Sequence, residues 1–161
     1  MTLPNIRQTN LMMVLSVIGL MSYALYTQYY LFLEPCPLCM TQRFFYVLIA
    51  LFALIALFHP TKYKLYNILA LFSAFGGMAT AGRQVWLQHL PPDQVPACGP
   101  SLGYMLETFP LSETLMTMIR GDGNCAEVVW SFIGFSMGEW SLICFTGYAV
   151  VFIWQLLRRR S

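Results

Sequence analysis

Residues Phe44 to Phe58 read FFYVLIALFALIALF, an apolar run without a charge, an amide or a glycine. A helix that crosses lipid needs about 20 mostly apolar residues, because hydrocarbon offers no partners for unpaired backbone groups. The run reaches that length only if its helix begins near Cys39, so the span is read as about 40–58. Working outward, three more stretches are read as spans: about 11–33, about 65–86 and about 141–157. The clearly polar side chains of the first are Ser16, Ser22, Thr27 and Gln28. The expected fold is an all-α membrane protein, a four-transmembrane-helix bundle forming a single membrane domain over 1–161.

Composition points the same way. Of 161 residues, 58% are hydrophobic and 10% charged, against about 45–50% and about 25% in a soluble domain. Nine Lys plus Arg against seven Asp plus Glu leave a net charge of +2. Without a basic stripe, a nucleic-acid partner is excluded. Arg7 before an apolar run also suits a signal peptide, but the run is too long and no small-x-small cleavage site follows.

Lys and Arg in short flanks stay on the cytoplasmic side. Arg7, then Lys62 and Lys64, then Arg158, Arg159 and Arg160 mark three such flanks. Both termini are therefore expected in the cytoplasm, with segments 34–38 and 87–139 on the outer side. Ser73, Gly77 and Ala81 recur every fourth residue, a small-residue face on which a neighbouring helix can pack closely. Trp86 and Trp140 bracket the long segment as interfacial aromatics.

Within that segment Pro91, Pro92, Pro96 and Pro100 surround Cys98, which predicts irregular, extended chain. Leu111, Leu115, Met118 and Ile119 then follow helical spacing opposite Ser112, Glu113 and Thr117. This predicts a short amphipathic helix lying on the membrane. Gly121-Asp122-Gly123-Asn124 ends it and sets Cys125 just beyond the turn.

Topology sorts the five cysteines. Cys36, Cys39, Cys98 and Cys125 fall outside the membrane, where disulfides form, while Cys144 lies in the fourth span and reads as a buried small hydrophobe. A bond across Cys36-Pro37-Leu38-Cys39 closes so small a loop that it suits exchange better than stapling. At a helix N-terminus Cys39 gains from the partial positive charge there, and Arg43 stands on the same face one turn deeper. Arg43 is read as stabilising an anion, with a snorkelling interface charge as the alternative. A Cys98–Cys125 bond would restrict the unfolded chain by about 3–4 kcal/mol. It serves either as a staple or, in a Pro-rich stretch that a partner can grip, as half of a relay. Structural zinc takes two close ligand pairs and only one is present, so no metal is expected. Hydrolytic and phosphoryl-transfer motifs are missing from the sequence.

Thiol exchange only moves electrons, so a relay needs a terminal acceptor. The sequence carries no haem, iron–sulfur or dinucleotide motif. A lipid-soluble quinone needs none of them and would dock near Cys39 and Arg43.

The residues together resemble the DsbB family of quinone-dependent thiol oxidases. The resemblance is carried by Cys36-Pro37-Leu38-Cys39 with Arg43 and with Gln28 upstream, the Pro-rich Cys98 segment, Gly123-Asn124-Cys125-Ala126-Glu127 and Met137-Gly138-Glu139-Trp140. It implies a bacterial inner-membrane enzyme that reoxidises a periplasmic DsbA-type thioredoxin-fold oxidase, with disulfides Cys36–Cys39 and Cys98–Cys125 and catalytic roles for all four cysteines. The donor would attack Cys98, Cys125 would attack Cys36, and Cys39 would pass electrons to ubiquinone or menaquinone, with Arg43 stabilising negative charge. Gln28 is expected either to hydrogen-bond the quinone or to bridge helices. Arg83 and Gln84 stand at the outer end of span three without an assigned role, Arg83 being suited to an interfacial anchor. A DsbA-type donor near about −120 mV is itself a strong oxidant, so the acceptor must be more oxidising still.

A vitamin K epoxide reductase-like protein shares this chemistry but carries its loop pair ahead of the CxxC, the reverse of the order here. A tetraspanin-like scaffold with a stapled loop is the non-enzymatic rival, and it would tolerate loss of Cys36 and Cys39. A monomer suffices, since the bundle can bury its own polar positions.

Overall fold

The computed structural model describes residues 5–59 and 61–158. Arg159 and Arg160 of the last basic flank lie outside the described residues. Among the described residues four helices are long and apolar enough to cross a membrane: α1 (Ile6–Tyr30), α2 (Pro37–Phe58), α3 (Tyr63–Gln88) and, last in order, α6 (Met137–Leu157). Two short helices, α4 (Leu102–Thr108) and α5 (Leu111–Arg120), and a two-residue-strand hairpin, β1 (Ser131–Phe132) with β2 (Phe135–Ser136), fill the long connection.

Each helix begins or ends a few residues from its expected bound, and local chemistry says why. α1 starts early because the Asn5 N–H donates to Gln8 Oε1 at 3.1 Å, and it stops before Phe32, whose φ of 53° is left-handed. Pro37 occupies the first position of α2, where its missing N–H costs nothing. α6 begins at a reciprocal cap: the Ser136 N–H donates to Glu139 Oε2 at 2.7 Å and the Glu139 N–H returns to Ser136 Oγ at 3.3 Å. Sequence periodicity finds apolar runs, not caps, which is why these ends were displaced.

α1 packs on α2, α2 on α3 and α3 on α6. The core is shared by Val17, Tyr46, Ile49, Ala74, Phe145, Tyr148 and Phe152. The small-residue face of α3 does what its spacing predicts: Ser73, Gly77 and Ala81 are buried, and the Phe145 ring occupies the space a side chain at Gly77 would need. α1 and α6 meet only lightly, as where the Ser16 and Tyr148 hydroxyls share a 2.8 Å hydrogen bond.

The amphipathic helix expected around Leu111–Ile119 is α5, and it docks on the N-terminal end of α2, where Thr41 Oγ1 donates to the Met118 carbonyl at 2.7 Å. Beyond it, Gly121 has φ 75°, and a Cβ there would press on Leu38 and Leu87. α4 and the hairpin were not foreseen. The hairpin turns on Ile133 and Gly134, both at positive φ, as a tight two-residue turn requires.

Candidate active site

The site is built on the first turn of α2. Cys36 is its N-cap, and the Cys36 Sγ accepts the Cys39 N–H at 3.3 Å. This cap brings the two sulfurs to 2.7 Å. All five cysteines are free in the structure, so neither expected disulfide, Cys36–Cys39 or Cys98–Cys125, is formed in it. Cys125 lies beside this cap. It is fully buried with Leu38 and Leu87, and its thiol faces Cys36, while Cys98 stays exposed. The apolar cluster holds Cys125 at the helix cap, and the Pro-rich segment carrying Cys98 runs along the surface beside Gly123.

The three converging thiols differ in charge preference. The Cys36 thiol is pushed far up, first by donating to Cys125, then by donating to Cys39, then by burial. Cys125 is held below the ordinary thiol range chiefly by that Cys36 donor, with the Leu38 and Asp122 backbone N–H groups helping against burial. With all thiols free, Cys125 is thus the anionic partner and Cys36 the donor that faces it, so the two sulfurs that an exchange between the pairs would join lie side by side.

A buried amide pair adjoins the sulfurs. Gln84 Nε2 lies 3.4 Å from Cys39 Sγ and 3.7 Å from Cys36 Sγ, and Gln84 Oε1 accepts Gln42 Nε2 at 2.7 Å. Both glutamines are 3% exposed. A Cβ at Gly138 would crowd Gln84, so the first turn of α6 leaves room for this amide. Sequence reasoning left Gln84 without a role and missed Gln42; the available signal was an amide placed inside an apolar helix, a costly position that calls for a partner.

Arg43 lies one turn below Cys39, as its spacing predicts. Its guanidinium donates to Gln28 Oε1 at 2.5 Å and to the Ala24 carbonyl at 3.2 Å. Gln28 therefore bridges α1 and α2 and orients Arg43, and it does not line the cavity described next. Arg83 points elsewhere, donating to the Arg120 carbonyl at 3.2 Å and stacking 4.3 Å over the Trp86 ring.

A cavity of about 860 Å³ opens beside these groups, within the size range of small-molecule sites. Cys39, Arg43, Gln42 and Gln84 form its polar wall, and Leu20, Met21 and Ala24 of α1 face Met137, Trp140 and Ser141 of α6 across it. It occupies the weakly packed seam between α1 and α6. Trp130 roofs it, with its ring edge-on to Tyr23 at 6.0 Å. Cys144 also lines it, half-buried and packed against the shared core.

Comparison with known proteins agrees with this arrangement. The profile of the family described as Disulfide bond formation protein DsbB matches residues 6–155. A protein of Saccharophagus degradans named Disulfide bond formation protein B is 48% identical over 160 residues, covering 98% of this chain and 96% of its own. Proteins of the same name from Hahella chejuensis (50% identical, 90% of each chain) and Methylococcus capsulatus (47%, covering 91% and 92%) are similar over nearly the same extent. With four membrane-spanning helices and thiols gathered at one helix cap, the chain belongs to the DsbB family of disulfide bond formation proteins, as a multi-pass membrane protein.

Proposed function

We propose that the protein is a disulfide-forming dithiol:quinone oxidoreductase of the bacterial inner membrane, which reoxidises a periplasmic DsbA-type thioredoxin-fold oxidase. The observation that carries this reading is the convergence of Cys36, Cys39 and Cys125, with Cys36 and Cys39 lining a cavity whose wall includes Arg43. A staple has no use for such a cavity.

The exchange runs from the exposed end inward. With Cys98–Cys125 oxidised, a donor thiolate attacks the exposed Cys98 and releases Cys125 as a thiolate. Cys125 attacks Cys36 of a Cys36–Cys39 disulfide, and Cys39 leaves with the electron pair. The Gln84 N–H, 3.4 Å away, stabilises the Cys39 thiolate, worth about 1.5–3 kcal/mol for a hydrogen bond to a charged group. A bound quinone supplies a two-electron, two-proton acceptor. Arg43 would hold its oxygen and balance negative charge, with Gln28 fixing the guanidinium. Ubiquinone and menaquinone both satisfy this chemistry. The donor's second thiolate then releases the oxidised donor from Cys98, the freed Cys98 thiolate attacks Cys125 to restore Cys98–Cys125 and release Cys36, and the Cys36–Cys39 bond re-forms as their electron pair passes to the acceptor.

The seam between α1 and α6 supports lateral entry from the bilayer, since one wall of the cavity is apolar side chains of those two helices. Arg7, Lys62, Lys64 and Arg158 stand at the opposite helix ends from the thiols, which supports cytoplasmic termini and a periplasmic site.

The test uses full-length protein in detergent with a reduced thioredoxin-fold donor and a short-chain quinone. Donor thiols and quinone should disappear one for one on a dithiol basis, and Cys39→Ser should lose both. Donor oxidation that continues without quinone, or survives in Cys39→Ser, would overturn the reading.

A further inference from the structure

From Val128 to Gly138 the chain reads VVWSFIGFSMG and carries no charged side chain, although most of it belongs to the connection between α3 and α6. The β1–β2 hairpin is folded from this stretch, with Ile133 and Gly134 at its tip. One side of the stretch has a use, since Val128, Val129, Trp130 and Phe132 line the cavity. The tip has none so far. Ile133 is 73% exposed and Phe135 is exposed beside it, and neither lines the cavity. Large apolar side chains gathered in the open mark a contact with a membrane or a protein.

The aromatic contacts of the stretch fix its level against the bundle. Trp130 meets Tyr23 edge-on at 6.0 Å. Tyr23 stands two turns, about 10 Å, inside the thiol-side end of α1 at Tyr30. Trp140, in the first turn of α6, donates its indole N–H to the Phe132 carbonyl at 3.0 Å and packs edge-on against Phe135 at 5.9 Å. The hairpin therefore folds back along α1 and α6, across the mouth of the seam between them, instead of standing off in water. Near this level Leu25 and Tyr26 of α1 and Ile143 of α6 are exposed side chains of helices that cross the membrane. The apolar tip continues their lipid-facing surface. Part of its backbone is paired within the hairpin and by Trp140, which lowers the cost of leaving water.

We infer that the hairpin is a membrane-seated element whose partner is lipid, with Ile133 and Phe135 inserted at the boundary of headgroups and acyl chains in the leaflet on the thiol side. A water-borne protein fits less well, because it would have to displace lipid from α1 and α6 to reach the same side chains. The Cys125 turn is then held from both sides, by α5 docked on α2 before it and by the seated hairpin after it. Asp93 and Cys98, both exposed in the stretch beyond the end of α3, belong to the aqueous side. None of this depends on what the cavity binds.

The experiment places full-length protein in nanodiscs of phosphatidylcholine, either plain or dibrominated at the sixth and seventh acyl carbons, and reads the tryptophan emission that Ile133→Trp adds to wild type. Phe135→Trp repeats the reading at a second position, and Asp93→Trp is the water-side control. Both hairpin positions are exposed, so the added indole disturbs no core. Brominated lipid should remove about half or more of the emission added by Ile133→Trp and by Phe135→Trp, as expected of side chains about 5–10 Å into the interface. The emission added by Asp93→Trp should be nearly unchanged. Emission from both hairpin variants that brominated lipid leaves intact while aqueous acrylamide quenches it would put the hairpin in water, open to a protein partner, and overturn the inference. Equal quenching by brominated lipid in all three variants overturns it as well.

Discussion

Two clusters of buried amides sit at opposite ends of the same helix bundle and do different things. At one end Gln42 and Gln84 hydrogen-bond each other and reach the sulfurs of Cys36 and Cys39, beside an open cavity. At the other end Asn10, Asn67 and Gln155 link α1, α3 and α6 in a chain, all at most 1% exposed, with Asn10 Nδ2 donating to Asn67 Oδ1 at 3.5 Å and Asn67 donating to Gln155. Among the described residues, Asn10 Oδ1 and Gln155 Nε2 have no hydrogen-bond partner. The lesson is that a buried amide in a membrane helix is not by itself a functional group. It becomes one where a reactive atom and a route for a ligand adjoin it; where it is sealed among helices, it fixes which helices meet.

That contrast is sharpened first by removing the reactive atom. Cys39→Ser, and separately Cys36→Ser, should abolish donor oxidation while leaving thermal unfolding close to wild type, since both side chains lie at a helix cap. Retained turnover would move the outer cluster into the structural class.

A change in the shared core should act on fold alone. Phe145 fills the space over Gly77, so Phe145→Ala should cost about 3–5 kcal/mol of stability, read by denaturant titration in detergent, with turnover per folded molecule unchanged.

The outer amide should behave oppositely. Gln84→Leu should lower the rate of electron transfer from Cys39 by about 10–100-fold, the equivalent of a lost hydrogen bond to a charged group, with a smaller effect on stability. Separate half-reactions check this: capture of the donor at Cys98 should keep its rate.

The smallest effect belongs to the sealed cluster. Asn67→Leu strands Asn10 and Gln155, which should cost about 1–3 kcal/mol of stability without altering turnover per folded molecule. A change in turnover larger than the change in folded fraction would erase the distinction between the two ends.

The bundle was legible because hydrophobic runs of spanning length have few other uses, and the stripe at Ser73, Gly77 and Ala81 told which face of α3 meets a neighbour. Cys36, Cys39 and Arg43 were legible too, since helical spacing along one short element places them on one face. What escaped depends on pairs distant in sequence. Gln84 reaches Cys39 from the neighbouring helix α3, and Gln42 joins it there. The hairpin at Ile133 and Gly134 lacks the Asn-Gly or Asp-Gly pair that usually announces such a turn. Asp122 is one polar residue of a turn in the sequence, while in the fold its carboxylate accepts the Gly99 N–H from a segment 23 residues away.

The central claim is that the seam between α1 and α6, next to the thiols, receives the quinone. Photolabelling with a short-chain azidoquinone, followed by peptide mapping, tests it most directly. The account predicts label on the cavity faces of α1 and α6, around Ala24 and Ser141, and loss of that label together with turnover in Ser141→Trp, which fills the cavity. Label confined to the far end of the bundle around Asn67, or labelling and turnover both unchanged in Ser141→Trp, would contradict it.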